Sequence, residues 1–220
     1  YINILNKFRI MIEPLFYILQ KYLPNKIHRV LLNIRAVFAS LIILTILSCD
    51  LNKDTIRTLK NFELEDINPH SSTFKKKIGP LFYRGNVSGY YFGDAGWGLC
   101  RSRFGSLNTM FKELIDEGYI DFNIVGINGI STKDRDYSGM INGRVLPWTQ
   151  DNNDENVWAS WKVIIRDFII LDREGNYYDS FNLTNIDLEV ESNHIYLKER
   201  IIDIIESTKD WIVKFRCILS

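Results

Sequence analysis

Cys100 is the residue in this sequence whose surroundings best suit thiol chemistry. It follows a run of strand-forming residues, and a helical pattern begins beside it. A group at the start of a helix faces unpaired backbone N–H groups and the positive end of the helix dipole, which favour an anion. A nucleophile there can attack a disulfide or a peroxide, and a thiol three residues later can resolve the intermediate. Cys100 has the spacing of that second thiol, but the attacking position holds Trp97, which has no nucleophilic atom for the reaction.

The composition of the 220 residues limits the function classes. Apolar residues make up 46% and charged residues 25% of the chain, which is typical of a folded domain with a buried core. The 27 basic and 27 acidic residues cancel, so the charge gives no support for a nucleic-acid partner. Cys49, Cys100 and Cys217 lie too far apart for a disulfide framework or a zinc motif. We therefore predict no metal and no cofactor.

The N-terminal part of the chain has the composition of a targeting segment. A basic stretch over 21–35 precedes a charge-free apolar run of 12 residues over 36–47, which is the order found in secretory signals. The run is shorter than the ~20 apolar residues of a spanning helix. Residues 46–49 resemble the bacterial lipoprotein cleavage box, which implies a lipidated Cys49. The alternative is an uncleaved anchor helix over residues 30–47, and either would hold the rest of the chain at the membrane, outside the cytoplasm.

The rest of the chain predicts one domain. We assign residues 1–49 to the signal or membrane-anchor segment, 50–61 to a tether and 62–220 to the folded domain. The glycines before and after Trp97 permit a tight turn at the predicted reactive position. The predicted elements are a strand over 86–92, a helix ending at Gly118, a strand over 121–128, a loop over 129–143, a helix over 157–164, strands over 168–172 and 176–181, and a helix from about Ser192.

The order of these elements predicts the fold class. A strand, a helix and a strand in close succession favour a right-handed parallel unit. The turn between the last two strands has no room for a crossover helix, so those strands are expected to be antiparallel. A β-α-β unit, a helix, a β-hairpin and a final helix form the thioredoxin order. We therefore predict an α/β, thioredoxin-like three-layer fold with a central mixed sheet, preceded by an N-terminal signal or anchor helix.

Seven short segments, spread over about residues 62–206, share their order with a known family. They are Asp66-Ile67-Asn68-Pro69, Tyr90-Tyr91-Phe92-Gly93, Gly98-Leu99-Cys100, Gln150-Asp151, Val157-Trp158-Ala159-Ser160-Trp161, Arg166-Asp167-Phe168-Ile169-Ile170-Leu171-Asp172 and Phe181-Asn182-Leu183-Thr184-Asn185-Ile186-Asp187-Leu188. With these segments the chain resembles thioredoxin-like redoxins related to the N-terminal domain of selenoprotein P.

The resemblance implies a reactive residue at position 97. Members of that family carry selenocysteine or cysteine, two residues and then cysteine, so Trp97 stands at the first of these positions and Cys100 at the second. Selenocysteine is encoded by UGA, and a translation that reads UGA as tryptophan prints Trp there. The hypothesis is that the natural residue 97 is selenocysteine. The alternative is a genuine tryptophan beside an inert Cys100.

A second departure concerns the thioredoxin cis-proline. Arg166 and Asp167 occupy its place in this sequence. Charged residues occupy the same place in the selenoprotein P group. Asp167 is a candidate catalytic residue that would hold or deprotonate a group near the turn; the alternative is a strand-end charge that reaches solvent. Pro147 is too far upstream to serve and is expected to shape the loop entering the next helix. Arg101 and Arg103 either stabilise an anionic residue 97 or are solvated.

Two function classes follow. One is a membrane-tethered extracytoplasmic selenol/thiol oxidoreductase that acts on a peroxide or a protein disulfide, with residue 97 attacking and Cys100 resolving. An external thiol donor would then reduce the bond between the two residues. The other is a degenerate thioredoxin-fold binding module without redox activity. The identity of residue 97 separates the two classes.

Overall fold

The computed structural model describes residues 59–219 and the side chains of residues 59–208. The predicted signal or anchor segment, Cys49, most of the predicted tether and the side chain of Cys217 lie outside the described residues. The proposed domain boundaries therefore stay predictions. Within the described range, no helix combines the length and the apolarity needed to cross a bilayer.

Strands and helices alternate around one central sheet. In chain order the elements are β1 (Leu64–Glu65), β2 (Lys77–Ile78), β3 (Val87–Gly93), α1 (Gly98–Asp116), β4 (Phe122–Asn128), a 3-10 helix (Ile130–Thr132), α2 (Ser138–Ile141), β5 (Trp148–Gln150), α3 (Val157–Trp161), β6 (Asp167–Leu171), β7 (Tyr177–Asn182) and α4 (Glu191–Leu219). The central sheet has the strand order β5-β4-β3-β6-β7. β3, β4 and β5 are parallel to one another, and β6 is antiparallel to both β3 and β7. β1 and β2 pair as a separate antiparallel ribbon.

Side chains that alternate along the strands fill two buried cores, one on each face of the sheet. The helices α1 and α4 contribute to the first core, and α3 and the β1–β2 ribbon contribute to the second. The first core includes Val87, Phe104, Leu114, Ile124, Ile170 and Ile201. The second includes Phe62, Tyr90, Val125, Trp161 and Leu171. The described domain therefore has three layers.

The elements around the predicted reactive turn agree with the sequence prediction. β3, α1 and β4 form the predicted parallel unit, in which Val87 pairs with Phe122 and Gly93 with Asn128. β6 and β7 form the predicted antiparallel hairpin. The predicted α/β fold with a central mixed sheet is confirmed.

The sequence prediction is wrong at three places. The predicted loop over 129–143 contains the 3-10 helix and α2. Pro147 leads into the strand β5 rather than into a helix. The helix predicted to reach residue 164 ends at Trp161, because Lys162 adopts a left-handed φ of 53°, which ends a right-handed helix.

The unpredicted strand β5 is held by close packing against β4. Trp148 is fully buried, and a Cβ placed on Gly126 would lie 2.2 Å from Cε3 of the indole. The amide of Gly126 donates to the carbonyl of Pro147 at 2.9 Å, and the hydroxyl of Thr149 donates to the carbonyl of Gly126 at 3.0 Å. The missing side chain at position 126 therefore makes the space that the tryptophan occupies.

A Gly126→Ala substitution tests this packing. The added methyl group must displace a buried ring, and overpacking of this kind costs about 1–3 kcal/mol of stability. Gly129→Ala is the matched control, because the nearest atoms to its Cβ lie 3.6 Å away in the indole of Trp158. We expect chemical denaturation to show a marked loss of stability for Gly126→Ala and a change within about 0.5 kcal/mol for Gly129→Ala. Equal stability of the two variants would contradict this account of β5.

Candidate active site

The turn between β3 and α1 presents an uncapped helix N-terminus. Trp97 is the N-cap residue of α1, with φ −101° and ψ 124°, and its side chain makes no capping hydrogen bond. Indole can donate but not accept a hydrogen bond, so it cannot satisfy the N–H groups of Gly98, Leu99 and Cys100, which have no partner within the helix. The first turn also carries no acidic residue. This end of α1 therefore favours an anion.

Three polar side chains hold the backbone of this turn in place. The amide oxygen of Asn128, at the end of β4, accepts from the N–H of Ala95 at 3.0 Å. The carboxylate of Asp94 accepts from the N–H of Gly96 at 2.8 Å. The guanidinium of Arg101 donates to the carbonyl of Ala95 at 2.9 Å. Arg101 thus has a structural partner in the turn. The sequence suggests two other roles for it, stabilising an anion at position 97 or lying in solvent.

Positions 97 and 100 face different environments. The side chain of Trp97 is 52% exposed, whereas Cys100 is a free cysteine with no exposed surface. The hydroxyl of Tyr91 donates to the carbonyl of Cys100 at 3.3 Å, and burial raises the pKa of this tyrosine well above its ordinary value, so it remains a neutral donor. An outer position next to solvent and an inner thiol one turn later match an attacking and a resolving group.

Arg166 lies directly beside the thiol. Its Nη1 is 3.6 Å from Sγ of Cys100, and its Nε donates to the hydroxyl of Thr184 at 2.8 Å. Its Cζ lies 5.9 Å from the centre of the Trp97 ring. Arg166 is buried and has a left-handed φ of 68°. The backbone N–H of Arg166 donates to the carbonyl of Phe92 at 2.7 Å, which fixes the residue to β3.

Asp167, the candidate acid from the sequence, has local partners instead. One carboxylate oxygen accepts from the N–H of Ile164 and the other from the amide of Asn182, both at 2.8 Å. The carboxylate thus secures the start of β6 to its hairpin partner. A catalytic role for Asp167 stays a prediction, and the residue that the structure brings to the thiol is its neighbour Arg166.

Arg103 also has a defined partner away from the turn. It is buried, donates to the carbonyl of Leu183 at 2.9 Å and forms an ion pair with Asp187. It therefore attaches α1 to the segment after β7, which contains Thr184. Through Thr184, this segment in turn orients the guanidinium of Arg166.

A cavity of about 350 Å³ lies next to the turn. Its lining includes Asp94, the first residue of the turn, and Ile165, which precedes Arg166, together with Thr132 and Trp158. This is the carboxyl end of β3 and β4, the edge at which open α/β sheets bind ligands. The lining reaches the turn through Asp94 and does not include Trp97 or Cys100.

Comparisons with known proteins find similarity in structure alone. No protein-family model matches the chain, and no curated protein matches it. Yeast Sco1 matches with a TM-score of 0.53 at 17% identity, covering 71% of this chain and 97% of that chain. A Bacteroides thetaiotaomicron protein proposed to be a disulfide isomerase matches with a TM-score of 0.50 at 18% identity, covering 69% and 92%. Copper-bound yeast Sco1 matches with a TM-score of 0.50 at 16% identity, covering 68% and 88%.

The chain has a thioredoxin-like fold. At these identities the likeness describes the fold and not the chemistry. Trp97 is the N-cap residue of α1 and Cys100 lies in the first turn of that helix; their catalytic roles stay predictions. The sequence does not indicate the contact of Arg166 with the thiol, because the two residues are 66 positions apart and no local pattern joins them.

Asn128 provides a test of how the turn is held. An Asn128→Ala change leaves the buried N–H of Ala95 without its acceptor, and such an unpaired group costs about 1–3 kcal/mol. Local opening should then become easier. We expect faster alkylation of Cys100 under native conditions, measured by mass spectrometry of the peptide that contains it. Asn153→Ala changes an exposed asparagine in a loop and should leave the rate unchanged; if both variants react alike, Asn128 does not hold the turn.

Proposed function

We propose that this protein is a membrane-tethered, extracytoplasmic selenol/thiol oxidoreductase in which residue 97 attacks and Cys100 resolves. The observation that carries the proposal is the pair of positions at the start of α1, where residue 97 is half exposed and Cys100 is a buried free thiol. The proposal takes the natural residue 97 to be selenocysteine. It rests further on the sequence resemblance to the selenoprotein P group and on the predicted N-terminal signal or anchor.

With a peroxide as substrate, the selenolate at position 97 attacks one oxygen and the O–O bond breaks. The products are a selenenic acid and, after protonation, an alcohol or water. The thiol of Cys100 then attacks selenium, water leaves, and an Se–S bond joins the two residues. Two external thiols reduce this bond and are oxidised to a disulfide, which restores the selenol and the thiol.

With a protein disulfide as substrate, the selenolate attacks one sulfur and releases the other as a thiolate. A mixed Se–S bond then links the protein to its substrate. Cys100 attacks the selenium, releases the second substrate thiol and forms the same internal Se–S bond. The substrate gains two electrons, and the external thiol donor replaces them.

The spacing of the two positions supports such an internal bond. Residues three apart on a helix have Cβ atoms about 5–6 Å apart, whereas a disulfide brings its Cβ atoms to about 3.5–4.5 Å. The first turn must therefore tighten slightly. An N-cap residue with non-helical dihedral angles, followed by Gly98, provides the freedom for that change.

The binding module is the second candidate, and the exposure of Trp97 favours it. Trp97 and Leu99 are 52% and 40% exposed at the start of α1, and aromatic side chains are enriched in binding surfaces. Copper binding is not proposed, although one of the similar structures, yeast Sco1, contains copper. The described residues provide no group of three His, Cys, Asp or Glu side chains that could hold a metal ion.

A pair of full-length variants separates the two candidates. Trp97→Cys supplies a thiol nucleophile. Trp97→Ser introduces a side chain similar in size to cysteine, but its hydroxyl is a far weaker nucleophile. We expect Trp97→Cys to reduce insulin disulfides or consume peroxide, with a thiol donor present, at least about tenfold faster than Trp97→Ser. If both folded variants are equally inactive on both substrates, the redox proposal fails and the binding module is favoured.

The role of Cys100 is tested in the Trp97→Cys background. Adding Cys100→Ser removes the resolving thiol, so the mixed disulfide between position 97 and the substrate should accumulate. Mass spectrometry under non-reducing conditions measures this adduct. Its absence, together with unchanged turnover, would contradict a resolving role for Cys100.

A further inference from the structure

Among the described residues, the buried cation Arg166 has no carboxylate partner. It is 8% exposed, and the ion pairs of the described residues do not include it. Its side-chain polar contacts are the hydroxyl of Thr184 and the sulfur of Cys100, and neither is a carboxylate. Burial of an unpaired charge is strongly unfavourable. An anion is therefore expected close to this guanidinium during function.

The guanidinium lies between the two predicted reactive positions. Its Nη1 is 3.6 Å from Sγ of Cys100, and its Cζ lies 5.9 Å from the ring of Trp97. That ring is at the outer limit of about 6 Å for a cation–π contact, so it compensates little of the charge. These two distances put the guanidinium against the thiol of Cys100 and within reach of the side chain at position 97.

The backbone at Arg166 is unfavourable for its residue type. A φ of 68° is in the left-handed region, which residues other than glycine rarely adopt and which is concentrated at functional sites. The strain is maintained by two backbone hydrogen bonds, from the N–H of Arg166 to the carbonyl of Phe92 and from the N–H of Leu183 to the carbonyl of Arg166, at 2.7 and 2.9 Å. This conformation presents the guanidinium to the turn.

We propose that Arg166 is a catalytic residue that stabilises the anionic selenium or sulfur at position 97. This inference rests on the proposed function for the reaction and on the described contacts for the charge. A guanidinium acts through its charge and its N–H donors and transfers no proton. Arg166 would stabilise the attacking selenolate before the reaction. When an external thiol attacks the exposed selenium at position 97, the internal bond breaks and the sulfur of Cys100 leaves as a thiolate. The same guanidinium would stabilise this second anion, since its Nη1 lies 3.6 Å from Sγ.

Other charged groups also act on this position, and the experiment must separate them from Arg166. Within the turn, the carboxylate of Asp94 binds the backbone N–H of Gly96. The thiol of Cys100 contacts the guanidinium of Arg166. The other titratable or charged side chains around the turn contact it or interact electrostatically with residues that do. They are Tyr91, Arg101, Arg103, Arg135, Asp136 and Arg144. Arg135 is the useful reference, because it is exposed and its guanidinium covers Gly96.

The test uses the full chain with Trp97→Cys and follows alkylation of the introduced thiol as a function of pH, resolved by peptide mass spectrometry. With Arg166 present, we expect an apparent pKa below the ordinary thiol value of about 8.5. Arg166→Gln should raise it by about one unit or more, as expected for loss of an opposite charge at this distance. Arg166→Lys should retain most of the effect, and Arg135→Gln should shift the apparent pKa far less, since water screens an exposed charge.

An apparent pKa at or above about 8.5 with Arg166 intact would overturn the proposal, and this measurement needs no substitution at Arg166. Equal shifts for Arg166→Gln and Arg135→Gln would overturn it as well. Alkylation requires no turnover, so the two proposals can fail separately. A lowered apparent pKa that depends on Arg166, without insulin or peroxide activity, supports the role of Arg166 and contradicts the proposed function. Activity without that dependence contradicts the role of Arg166 alone.

Discussion

Two sources of positive potential meet at the first turn of α1, and the surrounding structure holds them there. One is the uncapped N-terminus of the helix, which has no acidic residue in its first turn. The other is the buried guanidinium of Arg166, 3.6 Å from Sγ of Cys100. β3 positions both, since the turn begins where it ends and the carbonyl of its Phe92 binds the backbone of Arg166. The positive end of the helix dipole and the guanidinium repel each other. The site is therefore most stable when an anion lies between them.

Much of the scaffold could be predicted because it follows from local patterns. The apolar spacing of Phe104, Leu107 and Leu114 predicts α1, and all three are fully buried in the first core. The short polar turn after β6 predicts an antiparallel hairpin, which the structure contains. β5 could not be predicted in this way. It is three residues long, and its place depends on Trp148 packing over Gly126, a contact between residues far apart in the sequence.

The site was predicted in part for the same reason. The spacing of positions 97 and 100 depends on one helix turn, so the sequence sufficed to place them together. The contact of Arg166 with Cys100 joins residues 66 positions apart and requires a left-handed backbone that arginine does not ordinarily favour. Asp167, one residue later, is the candidate that the sequence offers for acid–base chemistry. Its direction is set by hydrogen bonds at the start of β6, which no local pattern indicates.

Trp97 is the one residue that conflicts with this environment. Its indole cannot accept hydrogen bonds from the free N–H groups of the helix, and it cannot balance the charge of Arg166. Half of its surface is exposed. A selenolate at that position would accept hydrogen bonds from these N–H groups and would balance the charge of Arg166. It would also have the resolving thiol of Cys100 within one helix turn. Sequencing the gene across codon 97 tests this central claim most directly. The account predicts the codon TGA, and the codon TGG would contradict it.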